Sequence, residues 1–260
     1  MWDKPLVRGV KRALAGRPDL YVNARRAFGL ARFAARRPHE ADFEFYRYAP
    51  PAPRGSVFLD VGANTGNSAL SFRIYDKRTP IVSIEPNRAL ERDLKLVRRL
   101  IRGFDYRLVA AGDEHGELTL YTPTYRGTPL SGYASLKRSE PGDVWWLRQN
   151  APDVEPSDVS IVEQRVEVVR LDELGLVPAH VKIDVEGTEL EVLRGLRRTI
   201  AEYLPTILIE RCSEEFEEIR AWLRDVRGYE PMTWCRAERR LVPYDPATAG
   251  QNAFFIAHGN

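Results

Sequence analysis

Residues 57 to 67, Val-Phe-Leu-Asp-Val-Gly-Ala-Asn-Thr-Gly-Asn, constrain the fold of this chain more than any other stretch. Val57, Phe58 and Leu59 form a short apolar run of the kind that becomes a strand buried on both faces. Asp60 stands at its carboxyl end, and Gly62 to Asn67 supply a tight turn of small residues. From Ser68 the pattern turns helical, with Leu70 and Ile74 four apart. Strand, glycine turn and helix build one half of a doubly wound α/β sheet, which binds its ligand at the carboxyl ends of the strands. A plain β–α turn with a solvent-facing Asp shares the local pattern, so the turn alone decides little.

A second acid narrows the choice. Pro80 to Ile84 reads as the next strand and ends in Glu85-Pro86, after which Asn87 caps a helix whose Leu90, Leu94, Val97 and Ile101 share one face. Glu85 follows Asp60 by 25 positions, the place where doubly wound folds put an acid on the ribose hydroxyls of a nucleoside. A carboxylate accepts both vicinal hydroxyl protons. Dinucleotides and S-adenosylmethionine both use this arrangement. The dinucleotide fingerprint is G-x-G-x-x-G around a pyrophosphate. Here Asn64 occupies the middle position, and Asp60 would repel phosphate. The same charge suits a ligand with a sulfonium and an ammonium group, which favours S-adenosylmethionine.

With 260 residues the chain can bury one sizeable α/β core, and its 43% hydrophobic and 29% charged content is ordinary for a soluble protein. The net charge of +2 gives no reason to expect nucleic acid, and the spacing of Cys212, Cys235 and four histidines suggests neither disulfide nor metal site. No apolar run reaches membrane-spanning length and no signal peptide is evident, so a cytoplasmic protein is expected. Residues 1–50 read as a basic helical extension or lid, in which Lys4, Arg8, Arg25, Arg26, Arg32, Arg36 and Arg37 far outnumber the acids. It reads either as a solvated face on capping or dimer-forming helices, or as an arm drawn to an anionic surface or substrate. The Pro-rich stretch Ala49 to Gly55 then opens the main domain, taken as 51–260 with a loop or hairpin insertion at about 113–168.

Within that domain, Tyr106 to Ala111 reads as a third strand, and Glu114-His115-Gly116 as a hairpin-like turn into Glu117–Thr122. His115 is read as a turn residue. The segment from Pro123 to Ser160 has few strand or helix signals, and its Trp145 and Trp146 suit either stacking on a sugar ring or anchoring to the core. Gln164 to Asp172 alternates as a strand. His180 to Glu189 follows, where alternation puts Lys182, Asp184 and Glu186 on one face and Val181, Ile183 and Val185 on the other. Charges on so apolar a strand belong at its ligand-facing end or in a buried ion pair. Pro205 to Glu210 is a fifth core strand ending in an acid, Ser213 to Arg227 is an amphipathic helix, and Tyr229–Trp234 and Ala253–Ala257 close the sheet.

Together these blocks resemble the FkbM-type family of S-adenosylmethionine-dependent methyltransferases. The resemblance is carried by Asp60-Val-Gly-Ala-Asn-Thr-Gly66, Glu85-Pro86, Ala110-Ala-Gly112, Ala134-Ser-Leu136, Val181 to Glu189 with Leu193-Arg-Gly195, and Pro205 to Glu210. The first 50 residues lie outside it. The resemblance implies a class I methyltransferase (Rossmann-like) fold: a doubly wound, mostly parallel seven-stranded sheet with one antiparallel strand near its edge, here with an N-terminal helical extension.

It further implies that Asp60, Gly62, Asn64, Gly66 and Asn67 hold the methionine end of the donor. Glu85-Pro86 would hold the ribose, and Ala111 to Asp113 would lie near adenine. Asp184 and Glu186 would border the transferred methyl, with S-adenosylhomocysteine as product. The expected reaction is O-methylation of a small molecule or sugar hydroxyl by in-line displacement. Asp184, Glu186 and then Glu210 are the candidate bases, with Lys182 orienting a carboxylate. A divalent metal at Asp184 and Glu186 is conceivable but not predicted. A polyketide or other natural-product acceptor, N-methylation or RNA methylation, a nicotinamide-dependent oxidoreductase, and an inactive donor-binding scaffold stand as alternatives. A homodimer through the N-terminal helices is a further expectation.

Overall fold

The computed structural model describes residues 18–125, 127–131, 134–136, 156–185, 187–210, 215–247 and 250–257. Among these, helix α1 (Pro18–Ala34) and a 3-10 helix (Ala41–Arg47) precede the first strand. Then come β1 (Val57–Val61), α2 (Asn67–Tyr75), β2 (Ile81–Ile84), α3 (Glu91–Leu100), β3 (Phe104–Arg107), β4 (Ala110–Ala111), β5 (Gly116–Tyr125) and β6 (Thr128–Pro129). β7 (Val159–Val169), β8 (Pro178–Ile183), α4 (Glu189–Gly195), α5 (Arg197–Tyr203), β9 (Thr206–Glu210), α6 (Phe216–Arg227), β10 (Tyr229–Cys235), β11 (Arg240–Pro243) and β12 (Asn252–Ala257) complete the order. No helix among the described residues is long and apolar enough to cross a membrane.

The main sheet has eight strands in the order β11-β10-β12-β9-β8-β1-β2-β3. β9, β8, β1, β2 and β3 run parallel, whereas β12, β10 and β11 pair antiparallel. The sheet is therefore mixed, which corrects the expected mostly parallel seven-stranded one. After β10 the chain turns back at once into the short edge strand β11, then returns as β12 between β10 and β9. Such short returns produce antiparallel pairs, because parallel neighbours need a long crossover.

β1 shows why the central strands read as unbroken apolar runs. Leu59 and Val61 enter one core with Val181, Ile183 and the inner faces of α4, α5 and α6. Phe58 enters another with Phe43, Tyr46, Leu70, Phe72 and Leu94. Both faces are covered, so every β1 side chain is buried. Phe58 stacks on Phe72 at 4.1 Å, and Tyr46 packs edge-on against both rings. The 3-10 segment before β1 thus belongs to the core of the sheet's α2–α3 face.

A second, four-stranded sheet has the order β4-β7-β5-β6. The strand expected over Tyr106–Ala111 breaks at Leu108-Val109: its first part stays in the main sheet as β3, and Ala110–Ala111 pairs parallel with Val168–Val169. The turn at 114–116 does not join neighbouring strands either, because β7 lies between β4 and β5. β5 instead pairs along ten residues with β7.

Candidate active site

At the carboxyl end of β1 the chain passes so close to the end of β8 that no side chain fits. Gly62 sits at φ +83°, and a Cβ there would stand 1.7 Å from the Asp184 carbonyl oxygen. Its amide donates to Ile84 O at 3.0 Å, while the Asp184 amide donates to Val61 O at 3.0 Å. Asn64 adopts φ +50°, a conformation Asn tolerates better than most residues. Gly66, at φ +80°, leads into α2 at Asn67.

Glu85 faces this turn and is only 6% exposed. Its Oε2 accepts the Asn64 amide at 2.7 Å and its Oε1 the Asn87 amide at 2.8 Å. Burial pushes its carboxyl up to about 7, against the pull of those two amides.

Gly62, Asn64, Glu85 and Pro86 line one cleft of about 660 Å³ together with Ala110, Ala111 and Asp184. Its remaining wall includes Leu120, Ser131, Leu136 and Thr188. Concave, partly apolar clefts with a few polar groups are where small ligands bind.

Beneath the cleft runs a polar row. Ser83, Asp60 and Lys182 are register neighbours on β2, β1 and β8. Asp60 is fully buried, accepts Ser83 Oγ at 2.9 Å through Oδ2, and leaves Oδ1 without a hydrogen bond. Burial raises its pKa, and Lys182 opposes the rise. Lys182 is 2% exposed, with Nζ 2.7 Å from Asp184 Oδ2. Burial disfavours its charge, but Asp184, Glu40 and Asp60 outweigh that and raise its pKa.

Glu40 comes from the segment between α1 and the 3-10 helix. Its Oε1 lies 3.1 Å from His39 Nε2 and its Oε2 accepts Asn252 Nδ2 at 3.0 Å. Burial alone would raise the Glu40 pKa, yet His39, Lys182 and Asn252 bring it down to about 2. Asp42 accepts the same Asn252 amide group at 2.9 Å, and burial raises its pKa. From α1, Arg25 Nη1 donates to Ser131 Oγ at 3.0 Å and Nη2 to Asn64 Oδ1.

A profile of the FkbM methyltransferase domain matches residues 60–231. The chain belongs to the FkbM methyltransferase family. Methyltransferase 1 of Beauveria bassiana (strain ARSEF 2860) is 29% identical over 176 residues, which is 64% of this chain and 68% of that protein. Among solved structures, a methyltransferase FkbM from Methylobacillus flagellatus KT is 17% identical with a TM-score of 0.49. The alignment covers 78% of this chain and 43% of that one, so this chain spans less than half of its length. Fibrillarin of Aeropyrum pernix, solved with natively bound S-adenosyl-L-methionine, is 16% identical with a TM-score of 0.40, covering 83% of this chain and 76% of that one.

In this member of the FkbM methyltransferase family the residues singled out from the sequence separate into groups. Gly62, Asn64, Glu85, Pro86, Ala111 and Asp184 share the cleft. Asp60 and Lys182 lie buried under it. Gly66 packs against α3, where a Cβ would approach Val97 Cγ2 to 2.9 Å, and Asn67 borders a different cleft beside α1. Asp113 is near Gly195 at the start of the second sheet, outside the cleft wall. Glu210 ends β9 opposite Asn252 and does not line the cleft. Glu186, Trp145 and Trp146 lie outside the described residues. Among the described residues no group of three or more metal-ligating side chains occurs.

His39, Glu40 and Asp42 were not anticipated, and Arg25 was read only as one cation of the basic extension or lid. All four precede the stretch the family profile matches. The one sequence signal was acids within a strongly basic segment, and it does not say which acid turns inward.

Proposed function

We propose that this FkbM methyltransferase is an S-adenosylmethionine-dependent O-methyltransferase that acts on a hydroxyl group of a small molecule or sugar. Family membership supports the donor, and the cleft residues fit it. Gly62 leaves a side-chain-free approach at the strand crossing. Each Glu85 oxygen accepts one backbone amide and has a second lone pair for one hydroxyl of a ribose diol. The small and apolar residues Ala110, Ala111, Leu120 and Leu136 offer a wall for a flat base.

The observation that carries the reaction is the pairing of Asp184, on the wall of that cleft, with Lys182 buried beneath it. When bound, the donor supplies a methyl group made electrophilic by its sulfonium. Lys182 Nζ holds Asp184 Oδ2 and fixes the plane of the carboxylate. Asp184 Oδ1 then accepts the acceptor's hydroxyl proton as the oxygen becomes nucleophilic. The charges of Asp184, Glu40 and Asp60 keep Lys182 protonated despite its burial, so the cation that holds the carboxylate is built into the fold.

Asp184→Asn keeps the shape of the side chain and removes the proton acceptor. Its kcat should fall by about 10²- to 10⁴-fold, with S-adenosylhomocysteine affinity unchanged. A variant that keeps full turnover in a methyl-transfer assay would remove Asp184 from the base role.

A further inference from the structure

A second cleft, of about 470 Å³, opens between α1 and α2. Arg25, Arg32, Arg37 and His39 border it, and no Asp or Glu does so among the described residues. Arg32 loses some of its preference for the charged form to burial and, less, to the neighbouring Arg37. Phe28, Phe33, Leu70 and Ile74 make up the apolar part of its wall. The guanidinium of Arg32 is held in place by the carbonyls of Pro38 and His39 and stacks over the Phe28 ring at 5.7 Å. The seat of α1 is close-fitting, since a Cβ on Gly29 would come within 2.7 Å of Asn67 Oδ1. α1, which carries Arg25 and Arg32, is therefore fixed by packing.

Two contacts join this cleft to the first. Arg25 borders it while its guanidinium reaches Asn64 and Ser131 of the donor cleft. At the other end, His39 is bonded to Ser71 Oγ at 2.8 Å and lies against Glu40, whose charge acts on the Lys182 that holds Asp184.

We propose that this cleft binds a phosphate group of the methyl acceptor, a phosphate monoester borne on a largely apolar carrier. The proposal rests on the reading of Asp184 as the base that faces the acceptor hydroxyl. Guanidinium groups match phosphate oxygens in geometry as well as charge. The phenylalanine and aliphatic wall beside them suits the carrier better than a bare sugar or an inorganic ion. A single acceptor would then have its charge anchored against α1 and its hydroxyl presented at the Lys182–Asp184 pair.

The test is isothermal titration of the full chain with octyl phosphate, below its micelle-forming concentration. Glucose 1-phosphate and octyl glucoside serve as comparisons, and S-adenosylhomocysteine is titrated in parallel. Octyl phosphate should bind at least tenfold more tightly than either comparison ligand. Arg37→Glu, at an exposed position, should weaken it tenfold or more and leave S-adenosylhomocysteine affinity unchanged. Arg32→Gln should shift it in the same direction. Equal binding of octyl phosphate and octyl glucoside, or indifference to Arg37→Glu, would overturn the anion site. Equal binding of the two phosphates would overturn the apolar carrier. No heat with octyl phosphate beside normal S-adenosylhomocysteine binding would refute this proposal alone, whereas no heat with S-adenosylhomocysteine strikes the methyltransferase reading.

Discussion

At Gly62 two demands meet, a left-handed backbone and a carbonyl oxygen 1.7 Å from where a Cβ would stand. Gly62→Ala should therefore cost about 2 kcal/mol or more in chemical denaturation. The variant should also lose S-adenosylhomocysteine binding, because relief of the clash must move Asp184. Glu85 gives a prediction in pH. Its carboxyl is raised by burial to about 7, and only the carboxylate accepts both hydroxyls of a ribose. Donor affinity should rise with pH up to about 7 and level off above it, and Glu85→Gln should flatten the profile. For the ligand-free fold the sign is opposite. A folded pKa above the unfolded 4.5 gives stability that is present below pH 4.5 and lost as pH rises through 7. At this scale the glycine turn, Glu85 and the Lys182–Asp184 pair were legible, because each sits where a strand ends and a strand's alternation is local. His39 and Glu40 were not. Glu40 meets Lys182 and Asn252 only through packing between segments more than a hundred residues apart.

Between elements, Asp172 ties the turn after the second sheet to a helix that packs on the main one. Asp172, in the 3-10 turn after β7, accepts the amides of Arg198 at 3.0 Å and Thr199 at 2.8 Å, so it caps the first turn of α5 from outside that helix. Asp172→Ala should cost about 1–2 kcal/mol, measured by thermal or urea unfolding. The cleft lies elsewhere, so S-adenosylhomocysteine affinity should not change. The strands of the parallel core were readable as apolar runs closed by acids. β11 was not, since Arg240-Leu-Val-Pro is too short to show a period and becomes a strand only by pairing with β10. The short strand β4 was hidden for a related reason. Residues 106–111 look continuous in sequence, and only their partners show that they serve two sheets.

Across the whole molecule, the chain before the profile-matched region contributes to both clefts. α1 lies along the rim of one and reaches over the cleft of Gly62, Glu85 and Asp184 through Arg25, while the 3-10 helix behind it is part of the core. If α1 restrains a bound donor, Arg25→Ala should speed S-adenosylhomocysteine dissociation several-fold in stopped-flow displacement, with little change in unfolding midpoint. An unchanged rate would leave Arg25 with a purely structural part.

The central claim is that the cleft between Gly62, Glu85 and Asp184 holds the methyl donor. Isothermal titration of the folded chain with S-adenosylhomocysteine at pH 8, with NAD as a parallel ligand, tests it most directly. The account predicts one site of micromolar affinity for S-adenosylhomocysteine, at least tenfold weaker in Glu85→Gln, and no heat with NAD. A folded sample that gives no heat with S-adenosylhomocysteine, or that binds NAD in its place, would contradict it.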